Sequence, residues 1–186
     1  MFSILSNYSD EIINKVQLDI DLFIKNFVEK SIKGYSPKFP VCPFAKKARL
    51  DGESVVQIYS GGDYRKFIIK NLEWLCDHDT YGVMLQVFPP RIRFSPGIFE
   101  FIRDTNRWTI PKDFFSLHGR TPNTLSSYPG FFNSSEYFII GTNKLSKVIP
   151  AVDKLFELGY YDAPTWTQEH LETVVYNRLK QYELYK

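Results

Sequence analysis

Cysteine, charge of one sign, long apolar runs and internal repeats are all scarce here, and each shortage removes a class of protein. Cys42 and Cys76 are the two thiols in 186 residues, too few for a disulfide scaffold. The start, Met1 to Ser6 (Met-Phe-Ser-Ile-Leu-Ser), has neither the basic region nor the apolar run of a secretion leader. The thiols therefore read as reduced, and the expected location is cytoplasmic. Basic residues number 23 and acidic residues 21, a formal charge of +2. No strong field draws such a chain to nucleic acid, which is not favoured as a partner. No segment approaches the roughly 18 consecutive apolar residues of a membrane span. Dinucleotide and P-loop patterns are missing too, and the sequence leaves the cofactor unknown.

What is present is core. Hydrophobic residues make up 44% of the chain, and 16 Phe with 12 Tyr dominate the aromatics. A chain of this size buries roughly 70% of its unfolded surface, so it needs no staples. One domain over residues 1–186 is expected, with 165–186 as, at most, an appended C-terminal helix.

The pattern along the chain predicts an α+β fold. It combines a small mixed sheet of three to five strands with about five helices, the longest at the two termini. Ile12, Ile13, Val16, Ile20, Phe23, Ile24, Phe27 and Val28 recur at helical spacing behind Ser9 and two acids. The predicted helix runs towards Gly34, roughly 24 residues or about 36 Å. Pro43 opens a short helix that ends near Gly52. Ser54–Tyr59 and Tyr81–Phe88 read as strands joined by a helix capped by Asp63, a strand–helix–strand unit with parallel strands. Pro96 begins another helix. From Trp108 to Ser135 no period survives, and Glu136–Ile140 then reads as a strand. Asn143 is the expected cap of a helix that Pro150 breaks and Gly159 ends. Thr165 with Gln168 has capping-box spacing for the last helix, whose stripe is Leu171, Val174, Val175, Leu179 and Tyr182.

Chemistry is suggested at a few places. Cys42 precedes a short helix rich in Lys46, Lys47 and Arg49, surroundings that favour a thiolate nucleophile. The aperiodic segment 112–135 is long for an irregular stretch in a compact domain, and such stretches are often functional. Within it His118 is a candidate general base, and Arg120 a two-pronged clamp for a carboxylate or phosphate. Asn123 and Tyr128 are further candidate ligand contacts in the same loop. Arg91 and Arg93 follow the second strand two positions apart, so an extended backbone aims both the same way. Cys76-Asp77-His78-Asp79 has residue types that suit zinc but not the spacing, so no metal site is expected. Gly61-Gly62 reads as a plain turn.

Val-Cys-Pro-Phe-Ala at 41–45, between a long helix and a strand, resembles a family of short uncharacterised bacterial proteins with a Leu-Cys-Pro-Phe-Ala signature. The similarity extends loosely over residues 10–135, through Val87-Phe88-Pro89 and Ser127-Tyr128-Pro129. It implies an order of elements and no reaction. The reading of function is a small-molecule protein, binding or converting an anion near the 112–135 loop. The alternative is a non-catalytic interaction or homo-oligomerisation module built on the terminal amphipathic helices.

Overall fold

A computed structural model describes residues 9–33, 36–88, 97–108, 113–118 and 137–186. Asp10 and Glu11 occupy the positive end of helix α1 (Asp10–Phe23), and Ile13, Val16 and Ile20 form its buried stripe. A wide π turn, Ile24–Val28, prolongs the helix and closes it. It stops short of Gly34 because the carbonyls that would continue the ladder have other partners. Val28 O accepts from Cys42 N at 2.9 Å and Lys30 O from Val41 N at 3.0 Å. Helix α2 (Ala45–Leu50) follows, tied back by a two-pronged Arg49–Glu29 pair at 2.6 and 2.8 Å.

Strand β1 (Ser54–Ile58) leads through Gly61 and Gly62, whose φ values of +121° and +88° suit glycine, into α3 (Tyr64–Cys76). Asp63 caps that helix by accepting from Arg65 N at 2.9 Å. Strand β2 (Val83–Phe88) begins two residues later than its sequence pattern, because Tyr81 packs on Trp74 instead, ring centroids 5.1 Å apart. Helix α4 is Gly97–Trp108, β3 is Phe115–His118 and β4 is Phe138–Asn143. The four strands form one mixed sheet in the order β1-β2-β4-β3. β1 and β2 are parallel, and β4 runs antiparallel to both neighbours.

Both faces of the sheet are covered. Ile58, Val87 and Ile139 meet Ile13, Val16 and Ile20 of α1. Phe88, Phe138 and Ile140 on the other face meet Ile68 and Leu72 of α3 and Ile98 and Ile102 of α4. α1 thus lies on one side of the sheet and α3 with α4 on the other, an α+β arrangement in three layers. Asn143 ends β4 rather than capping the next helix. The cap comes from Asp113, which accepts from Ser146 N at 2.6 Å and from the Ser146 hydroxyl.

The chain after the sheet is broken helix. Pro150 splits α5 (Leu145–Val148) from α6 (Val152–Glu157) through a 3-10 turn, Ile149–Ala151. Gly159, at φ +73°, ends α6. The last helix is capped by Thr167, not Thr165, through His170 N at 3.2 Å; the Thr165 carbonyl receives the His170 ring instead, at 2.7 Å. It comprises α7 (Gln168–His170), a π turn (Leu171–Tyr176) and α8 (Asn177–Tyr185). Val152, Leu155, Tyr160, Tyr161 and Val175 form a third core with Phe39 and Phe44 packed on it, and no strand residue among the described residues belongs to it. Among the described residues, no helix is long and apolar enough to cross a membrane.

Candidate functional site

The Val41–Cys42 segment is pinned from three directions. Its two amides bond to the end of the N-terminal helix, and the Tyr160 hydroxyl donates to Val41 O at 2.7 Å. The Cys42 sulfur receives the amides of Phe44 and Ala45 at the start of α2, the helix-terminus placement that the sequence suggests. Its ionisation is the reverse of the sequence expectation. Burial, the largest influence, pushes the thiol above its ordinary value. It outweighs the two amides and the nearby Arg178 guanidinium, which act to lower it. The residue as a whole is only half-buried, but the sulfur's surroundings govern the titration, so Cys42 is a protonated thiol at neutral pH.

Arg178 is the residue that the sequence pattern conceals. It is the second residue of α8, which follows the second π turn, and stands between Val175 and Leu179 of the apolar stripe. Its guanidinium lies over the Phe115 ring, 5.4 Å from the centroid, and within electrostatic reach of Cys42, Tyr161 and Tyr160. The residue is half-buried. Its Nε, however, is sealed from solvent and has no hydrogen-bond partner among the described residues. Burial is the largest influence on this guanidinium and lowers its pKa. The groups that oppose the lowering are a thiol and two phenols, with no carboxylate among them. Burial also pushes Tyr161 up, so neither it nor Cys42 supplies negative charge at neutral pH. Two π turns among the described residues lie close to this spot: Val28, which ends the first, accepts from Cys42 N, and Arg178 stands two residues after the second; such wide turns are frequent at functional sites.

A groove of about 1380 Å³ runs along α4 and the last helix; neither Cys42 nor Arg178 belongs to its lining. Val41, Phe115 and Tyr160 belong to its lining, together with α4 and the length of the last helix from Glu169 to Leu184. Its floor carries a closed polar network. Asn106 donates to Ser116 O at 2.7 Å and accepts from Ser116 N at 2.8 Å, while Gln181 donates to Asn106 O at 2.7 Å. The Ser116 and Thr142 hydroxyls share a bond of 2.9 Å.

Of the residues singled out from sequence, Cys42 lies at this site. His118 is the last residue of β3, opposite Ile140 in the backbone register; its side chain lies outside the described residues. Arg91, Arg93, Arg120, Asn123 and Tyr128 lie outside them as well, as does the 112–135 loop apart from 113–118. The basic run before β1 is largely paired: Arg49 with Glu29, and Lys47 with Asp51. His78 stacks on Trp74 at 4.0 Å and bonds to the Trp74 carbonyl at 2.7 Å, while Asp79 pairs with Lys144 at 2.9 Å. Each thus has a structural partner. No family model matches the chain, and neither the curated proteins nor the solved structures give a match.

Proposed function

We propose that the protein binds a small organic or inorganic anion at Arg178, beside Cys42. The observation that carries this reading is a cation partly removed from water with no anion opposite it among the described residues. Leaving a buried charge unpaired costs several kcal/mol, whereas a cation–ring contact returns about 0.5–2 kcal/mol. Arginine does not escape by losing its proton, as a buried lysine would. A carboxylate or phosphate would close the deficit, and its two oxygens match the guanidinium fork. The protonated thiol and the Tyr161 hydroxyl provide neutral donors for the same ligand. Cys42 serves in this reading as part of a binding pocket rather than as a nucleophile.

The interaction-module alternative has less support. Ile13, Val16 and Ile20 of α1 pack inward, and of the last helix's stripe Val175 does so too, so that part of the terminal helices' apolar surface is already used within the chain.

Titration calorimetry with phosphate and with acetate tests the proposal. The expected result is saturable binding of at least one of them, weakened tenfold or more in Arg178→Gln and little changed in Lys47→Gln. Equal binding by wild type and Arg178→Gln, or no binding by wild type, would refute it.

A further inference from the structure

Arg49 and Arg178 are both partly buried, and their charges are answered differently. Arg49 holds Glu29 through Nε at 2.6 Å and Nη2 at 2.8 Å, so both carboxylate oxygens lie along one edge of the guanidinium. That edge presents two nearly parallel N–H donors, which a carboxylate matches better than a single acceptor atom does. At Arg178 the same edge includes the Nε that is sealed from solvent and has no hydrogen-bond partner among the described residues. The orphaned donor therefore identifies the edge at which an acceptor is needed.

The neighbours limit the charge of that acceptor. Cys42 and Tyr161 both lie within electrostatic reach of Arg178, and no other cation acts on either among the described residues. Val175, one turn before Arg178, packs in the core of Tyr160 and Tyr161, with Trp166 and Leu179 against it. One guanidinium in such surroundings neutralises one negative charge. A second charge on the ligand would lie in the same dry place with nothing to answer it. The two phenols also differ. Tyr160 donates to Val41 O at 2.7 Å, whereas Tyr161 makes no hydrogen bond to a described residue. A phenol raised by burial keeps its proton at neutral pH and is a donor.

We infer that the occupant of Arg178 is a small monocarboxylate, held side-on by Nε and one terminal nitrogen, with the Tyr161 hydroxyl as a further donor. The inference rests on the anion reading of Arg178 and adds the class of ligand. That class has one negative charge, two oxygens in one plane and a body short enough for a packed core. A divalent phosphate carries one charge too many, and a halide offers one atom to two donors.

The test is titration calorimetry of the full chain at neutral pH, in buffer free of other small anions, with acetate, malonate, phosphate and chloride as probes. Malonate is acetate with a second carboxylate, so this pair separates charge from geometry in the wild-type protein and depends on no variant. Acetate is expected to bind about tenfold more tightly than the other three, or better. Arg178→Lys keeps the charge and removes the two-donor edge, so it should weaken acetate about tenfold or more. Tyr161→Phe should weaken it about fivefold or more. Malonate or phosphate binding as tightly as acetate would overturn the single-charge assignment. Chloride matching acetate, or acetate bound equally by Arg178→Lys, would overturn the side-on carboxylate. Each of these results leaves the anion site standing, whereas binding of none of the probes would remove both.

Discussion

Arg178 concentrates the chemistry of this chain because its charge cannot be switched off. Aspartate or lysine in a dry site changes protonation state; a guanidinium stays charged and must be answered by its surroundings. Its answer among the described residues is one ring, one protonated thiol and two phenols, with no carboxylate among them. Arg178→Met should therefore stabilise the ligand-free protein, by about 1–3 kcal/mol, since apolar replacements of buried charge are commonly stabilising. Urea unfolding in anion-free buffer measures this. Saturating ligand should reverse the order, because an anion that binds only the native wild type adds to its stability alone. A methionine variant less stable in both conditions would mean that the guanidinium has a structural role. Cys42 shows how far sequence reaches at this scale. The thiol's position before a helix start was legible from Pro43 and the basic run, but its charge state was not. Helix amides favour a thiolate, burial opposes it, and burial depends on Tyr160, Tyr161 and Arg178, more than a hundred positions away.

Elements whose partners lie close in sequence were the readable ones. The β1–α3–β2 unit, the Pro150 break and the Gly159 stop all follow from local pattern and turn chemistry. β3 was not readable, since Phe-Ser-Leu-His alternates apolar and polar residues over only four positions, too short a run to stand out from the aperiodic sequence around it. Its existence depends on β4 along one edge and on Asn106 along the other, where the side-chain amide pairs with both backbone groups of Ser116 as a neighbouring strand would. The covered edge leaves no ladder for another chain to extend at that point. Asn106→Leu keeps the side-chain volume and removes both bonds, leaving a buried N–H and C=O without partners. The expected cost is roughly 2–4 kcal/mol, with faster hydrogen exchange at the Ser116 amide. Unchanged exchange there would show that the strand is held by β4 alone. The candidate site was hidden for a similar reason: in a stripe of Leu171, Val174, Val175, Leu179 and Tyr182, a single arginine reads as an exposed neighbour until the Phe115 ring is folded against it.

At the scale of the whole molecule, a few ionic and phenolic contacts tie the layers together and set how folding responds to pH. Tyr137 at the entrance to β4 donates to Asp19 of α1 at 2.7 Å, and Lys15 bonds the same carboxylate at 2.7 Å. Burial alone would raise Asp19, but the hydrogen bonds from Lys15 and Tyr137 and the Lys15 charge together bring it below its ordinary value. Glu29 is lowered chiefly by its hydrogen bond from Arg49. Both carboxylates bind protons less readily when folded, so their contribution is present above the unfolded carboxylate range and is lost as pH falls through the folded values. Tyr137 works at the other end. Burial first, then the bond to Asp19 and its negative charge, push the phenol from 10.0 up to about 12. A raised acid dissociation leaves its contribution intact below about 10 and removes it as pH climbs towards about 12. Stability against urea should therefore be flat at neutral pH and decline on both flanks. Tyr137→Phe separates the two flanks. It abolishes the phenol's titration, so the decline between about 10 and about 12 should become shallower than in wild type. It also withdraws one of the bonds that lower Asp19, so that carboxylate's share of the acid decline should become smaller and end at a higher pH. An alkaline slope identical in the two proteins would assign that flank to another group and detach α1 from the alkaline response of the sheet.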